Sequence, residues 1–565
     1  MTTKNPLQMI LLVVCFASMT SHIQSVTSSQ PTAAGPSFPS RQNKTLPYRL
    51  FPGMANYPAH EEFFQLASKL DGEFIHPMNP EEYANVTATW NIRVTGLPFA
   101  HIMAQSVEDV QQTIAFAKKY NIMVAVRSSG HSFIGRSTHD GALIINLFRM
   151  KGKKFNLDSV RNMAGEVTLE SGNSWLEVYE AVDKQVTYDT VGNVQRRVIV
   201  GGSAHTVAMG GYTQGGGHSP YSRQIGLAAD SLLEATIVLA DGRKAVVNEQ
   251  GTTITTLDGA SSTSNDNSLF WAIRGGGGGT WGVVTDFTFR LHYAPERFRH
   301  VIVNWALTYK GTAIGSDDVR FILKQLTTLS SQWGGYFLVS GAQLTADAKG
   351  AVTLSLIHFG SDQDASNHEV DALLGHNPRV NQFGLTDTNY TTFLEYEATP
   401  KDGPSGNAYI YNTFVQSDIG QNTTKLDQLV DFLLDSVNPP TDESALYCTG
   451  VLIGGKTNEI AEGATPVNPK FRSGLMSMTC SLSWTPNNGQ DSLYINHALL
   501  LRDGLSKLGE GSYFNEPAED LDDWKQQFWG NSSTYDRLLQ IKRQWDPDHF
   551  FWCHNCVGSD DVTSG

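Results

Sequence analysis

The chain has 565 residues, of which 40% are hydrophobic, and a formal net charge of -15. That length exceeds the roughly 250 to 300 residues at which one core stops growing, so two or three lobes are expected. With 41 Lys and Arg against 56 Asp and Glu, the balance argues against nucleic acid as a partner, because phosphate backbones require clustered cations.

Residues 1–25 read as a signal peptide: Lys4, an apolar run from Met9 to Met19, then a small-residue stretch ending near Ser25. The apolar run is shorter than the about 20 residues a membrane helix needs, and no other stretch reaches that length, so no membrane partner is expected. A secreted, N-glycosylated protein is the expectation. Sequons at Asn43, Asn85, Asn389, Asn422 and Asn531 suit that route.

Residues 26–49, rich in Ser, Thr and Pro, form a flexible lead-in, and order begins near Leu50. Ser106 as N-cap, Asp109 three residues on, and Val107, Val110, Ile114 and Ala117 on one face predict a helix. Buried strands follow at Ile122 to Val126 and Leu143 to Leu147, and residues 235–247 read as a hairpin turning at Asp241-Gly242. The alternation of Val283, Phe287, Phe289 and Leu291 gives a half-buried strand that closes a first lobe.

Beyond it, helical patterns at Asp317 to Leu329, Lys425 to Val437 and Ser492 to Leu508 alternate with strand-like stretches such as Val352 to Phe359. This is an α+β pattern with a second lobe, and no repeat of fixed period is present. Tyr409 and Tyr411 alternate on a strand of that lobe and are expected to pack in its core rather than to face a ligand. Cys448, Cys480, Cys553 and Cys556 lie beyond the leader and allow two disulfides in three pairings. The Cys553-His554-Asn555-Cys556 run lacks a second Cys/His pair at ligand spacing, so no metal is expected.

Three glycine-dense loops, at residues 128–135, 210–219 and 275–282, let backbone N–H groups approach a flat, anionic cofactor closely. The run Arg274 to Gly279 has neither the G-x-G-x-x-G spacing of a dinucleotide fingerprint nor a P-loop lysine.

The chain resembles the FAD-linked oxidases of the berberine bridge enzyme-like group, within the vanillyl alcohol oxidase superfamily. The resemblance rests on Arg127-Ser-Ser-Gly-His131-Ser132, Gly215-Gly-Gly-His-Ser219, Gly226-Leu-Ala-Ala-Asp230, the Trp271 to Gly279 run, and the tail from Asp546 to Ser559. It implies a PCMH-type FAD-binding domain over 50–295, a substrate-binding domain over 296–510 with an antiparallel sheet backed by helices, and a C-terminal return to the FAD domain over 511–565.

It also implies that His131 carries FAD covalently at the 8α-methyl carbon. Arg127, Ser128, Ser129 and Gly130 would cradle the pyrophosphate with their backbone N–H groups. Ser132, Ser137, Thr206, Val207, Gly210, Gly211, Gly217 and Asn555 complete the implied cofactor contacts. Many relatives add a cysteine bond to the flavin, but this chain has Ala204 at that position, so attachment through His131 alone is expected. The adjacent His205 matches the family's proline and is expected to be structural.

Val207 stands where a small side chain leaves O2 a path to the flavin, which implies an oxidase. A dehydrogenase using another acceptor and a non-catalytic binding protein are the rival readings. Tyr513, Asn515 and Glu516 match the segment that supplies active-site groups. Tyr513 or Glu516 is expected to take the proton of a small-molecule substrate, and the sequence does not choose between them. Oligomeric state is not readable.

Overall fold

The computed structural model describes residues 49–361, 363–376, 382–398, 402, 405–435, 437–441, 443–486 and 488–561. The expected signal peptide, the lead-in up to residue 48 and the Asn43 sequon lie outside the described residues.

The first lobe grows from helix α1 (Val107–Lys119) and its cap. Ser106 accepts from the Asp109 N–H at 3.1 Å, and Asp109 closes a capping box. Its carboxylate also accepts from the N–H groups of Asp71, Gly72 and Gln105, so one buried acid ties the helix start to two loop segments. The buried face, Val110, Ile114 and Ala117, packs on a four-stranded sheet ordered Glu73–Ile75, Ala100–Met103, Leu143–Asn146, Val124–Arg127. The last of these strands, β1 (Val124–Arg127), pairs in parallel with Leu143–Asn146.

A seven-stranded sheet follows, in which Leu232–Val238 and Lys244–Asn248 form the expected hairpin and Val283–Arg290 lies between Leu232–Val238 and Glu166–Glu170.

The second lobe contains β2 (Arg297–Tyr309), α2 (Ser316–Thr328), β3 (Trp333–Gln343), β4 (Ala348–Gly360), β5 (Asn407–Gln416), α3 (Thr423–Asp435), β6 (Ser444–Leu452), β7 (Gly474–Trp484) and α4 (Asp491–Leu505). Its antiparallel sheet runs β2-β4-β3-β6-β7-β5, with Thr312–Ala313 and Gln382–Tyr390 both paired to β2. Helix α4 packs on β5 and β7, and α2 packs on α3.

Side chains alternate across this sheet. Leu354, Leu356, Phe337, Val339, Met478 and Leu482 are buried in the core, while Thr353, Ser355, Tyr336, Leu338 and Thr479 on the other face line a cavity. Tyr409 and Tyr411 follow the first set: Tyr409 donates to Asp520 at 2.6 Å, and Ile410 between them meets the cavity. Cys448 pairs with Cys480 directly across β6 and β7, and Cys553 pairs with Cys556.

The chain then returns to the first lobe. Helix α5 (Ser532–Trp545) packs on the helix Ser268–Ile273, and buried Lys542 donates to the carbonyls of Thr280 and Phe551 and to Asp546. No helix among the described residues is long and apolar enough to cross a membrane.

Candidate active site

The cavity encloses about 430 Å³ between the two lobes. Its first-lobe wall is built from all three glycine loops: Ser128 to Ser132 from one, Gly210 and Gly211 from the second, Gly278 and Gly279 from the third. Ser137, Ala204 and Val207 join this wall. Gly130 adopts a φ of +81°, and a Cβ there would lie 2.4 Å from the Arg127 guanidinium. At Gly211 an added Cβ would meet only open space. Ser129 accepts from the Ala208 N–H at 2.8 Å and so joins the first two loops.

His131 stacks beside Trp90, ring centroids 6.2 Å apart. Its Nε2 lies 2.8 Å from Thr206 Oγ1, and Thr206 in turn donates to Asp402. Burial lowers the imidazole's pKa to about 4, against a smaller opposing pull from Asp402. The ring is therefore neutral at neutral pH.

Tyr513, Asn515 and Glu516 enter from the C-terminal segment, and all three line the cavity. The Tyr513 hydroxyl accepts from the Gly217 N–H at 3.2 Å and from Asn515 Nδ2 at 2.9 Å. Burial, followed by the charge of Glu516, pushes its pKa above that of an ordinary phenol. Glu516 differs. Burial pushes its carboxyl up, but His218, 3.3 Å away, and the Thr479 hydroxyl more than offset this and hold it below the ordinary value.

Four residues of the expected cofactor set are not among those lining the cavity. The Arg127 side chain leaves the end of β1 on the far face and donates to the carbonyls of Thr87 and Ala88. Thr206 touches His131 and not the cavity, Gly217 holds Tyr513, and the Asn555 carbonyl accepts from Arg136. His205 is buried away from the cavity, 3.6 Å from Glu397.

Several cavity groups escape a reading of the sequence. His218 sits in the Gly-Gly-Gly-His-Ser motif, which is the one available signal for it. Arg136 donates to the carbonyls of Phe514, His554 and Asn555 and lies 3.8 Å over the Phe514 ring. It thereby fastens the C-terminal segment to the cofactor loop. Asp402 and Tyr336 have no sequence signal because their partners are distant in the chain.

The donor set suits FAD. Backbone of three glycine loops faces the cavity, and the buried Ser137 Oγ and Gln214 Oε1, both on its wall, have no partner within the described protein. A family model described as "FAD binding domain" matches residues 98–248, and one described as "Berberine and berberine like" matches 512–558. This chain is an FAD-linked oxidoreductase with a berberine-like C-terminal segment.

The oxidoreductase is 29% identical over 510 residues to the VAO-type flavoprotein oxidase VAO615 of Thermothelomyces thermophilus, covering 86% of this chain and 79% of that one. It is 27% identical over 493 residues to an uncharacterized FAD-linked oxidoreductase of Arthroderma benhamiae, covering 82% and 78%. Its fold matches the VAO-type flavoprotein MtVAO713 of Myceliophthora thermophila with a TM-score of 0.74 at 22% identity, over 92% and 98% of the two chains.

Proposed function

We propose that the protein is a secreted oxidase of a non-anionic organic alcohol, with FAD held through His131 alone and Glu516 as the base. The observation that carries this reading is the Glu516, His218 and Thr479 cluster on the cavity wall. Glu516 lines the cavity, with Thr479 donating to one carboxylate oxygen and His218 3.3 Å from the other, and as an ionised carboxylate it can accept the substrate's hydroxyl proton. Tyr513 keeps its proton and is held by Gly217 and Asn515, so it shapes the wall. When bound, FAD supplies the two-electron acceptor, taking the substrate's hydride and passing the electrons to O2 to give hydrogen peroxide.

The hydrogen-bond chain supports His131 as the anchor and favours Nδ1 as the linking nitrogen. Ionised Asp402 only accepts, so Thr206 gives it the hydroxyl proton and accepts from His131 Nε2–H. A neutral imidazole with its proton on Nε2 leaves the Nδ1 lone pair to bond the flavin. Ala204, on the cavity wall, offers no thiol for a second bond.

The lining disfavours an anionic substrate. Its cation, Arg136, is engaged by three carbonyls. Two structural relatives are named as a xylooligosaccharide oxidase and a chitooligosaccharide oxidase, so sugars stand beside aromatic alcohols and phenols as candidates. The leader-like N-terminus, two disulfides and exposed sequons at Asn85, Asn389 and Asn531 support secretion.

Acid precipitation tests the anchor. The wild-type pellet is expected to stay yellow and the His131→Ala pellet to be colourless. Flavin released from wild type into the supernatant would refute the covalent link. Peroxide formed during an O2-consumption screen of sugars and benzylic alcohols tests the oxidase reading, and reduction of the flavin without O2 uptake would favour a dehydrogenase.

A further inference from the structure

Tyr336 lies on β3 opposite Ser355 of β4 and Val451 of β6, and all three line the cavity. Its hydroxyl donates to Ser203 Oγ at 2.7 Å, and Ser203 donates to Glu397 Oε1 at 2.7 Å. Glu397 is fully buried, with His205 Nε2 3.6 Å from its other oxygen.

The geometry runs this chain one way, from Tyr336 through Ser203 to Glu397. Each hydroxyl has a single proton. Ser203 gives its proton to Glu397, so its oxygen accepts from Tyr336, and Tyr336 has no proton left for a ligand. What Tyr336 offers the cavity is an acceptor lone pair.

We propose that Tyr336, oriented by Glu397 through Ser203, is a specificity-determining acceptor for a second hydroxyl or N–H of the substrate, separate from the hydroxyl that Glu516 deprotonates. The inference rests on the alcohol-oxidising reading of the cavity given above. Glu516 and Tyr336 then both require donors, which selects molecules with two donor groups. An ether in place of the second hydroxyl leaves the phenolic oxygen facing another acceptor, and such molecules are disfavoured.

The test is anaerobic calorimetric titration of the holoenzyme with 3- and 4-hydroxybenzyl alcohol, each against its methyl ether. In wild type the hydroxylated member of at least one pair is expected to bind about five- to tenfold more tightly, the range of one hydrogen bond. Tyr336→Phe is expected to bring that ratio near one. Ser203→Ala, which frees the Tyr336 proton, is expected to bring it to one or to favour the ether.

Wild-type ratios near one in both pairs, no binding heat from any of the four at millimolar concentration, or a preference that survives both substitutions would overturn the proposal. Failure of the oxidase reading looks different: the alcohols bind with the expected ratio, yet the flavin stays oxidised and no O2 is consumed.

Discussion

Tyr513 and Glu516 sit three positions apart and reach the same cavity, yet their surroundings push them toward opposite protonation states. Glu516→Gln is therefore expected to lower kcat by about 10²- to 10⁴-fold, the usual reach of a general base, and Tyr513→Phe by less than about tenfold. In steady-state assays kcat/KM should fall as pH drops through the depressed Glu516 pKa and stay level through neutrality. A Glu516→Gln enzyme that keeps wild-type turnover would remove Glu516 from the chemistry. The segment itself was legible in the sequence, but the choice within it was not. His218 and Gly217, which help decide it, lie almost 300 residues away, and no local pattern reports them.

Among the elements, those with strong local signals match the structure within a few residues. The capping box at Ser106 and Asp109 and the turn at Asp241-Gly242 are set by short-range hydrogen bonds and turn chemistry. Arg136 shows the opposite case. It is partly buried, its pKa is pushed down to about 9 by loss of solvent, and its three carbonyl acceptors come from residues 514, 554 and 555. Arg136→Met leaves those acceptors without their donor at about 1 to 3 kcal/mol each. The variant is expected to show a lower Tm and faster proteolysis near residue 513 than wild type. Equal proteolysis rates would show that the aromatic packing of Phe514 holds the segment without the clasp.

For the whole molecule, buried imidazoles set a pH limit. Burial lowers the His101 pKa to about 3 and the His292 pKa to about 4, against 6.5 for an unperturbed histidine. Between pH 6.5 and these values the unfolded chain binds more protons than the folded one, so stability is complete above 6.5 and declines as pH falls. Calorimetry should find Tm falling from pH 7 to pH 5, and a shallower slope in His292→Gln; an unchanged slope would count against this cause.

The sequence by itself determined the α+β class, the three glycine loops, the His131 motif and the C-terminal active-site run, because each is written in neighbouring residues. The tertiary structure alone decided which face of the second sheet meets the cavity, which of two candidate bases is ionised, how the cysteines pair, and which residues of the three loops line the cavity. Those outcomes depend on burial and on hydrogen bonds between segments tens to hundreds of residues apart, and neither is a property of local sequence.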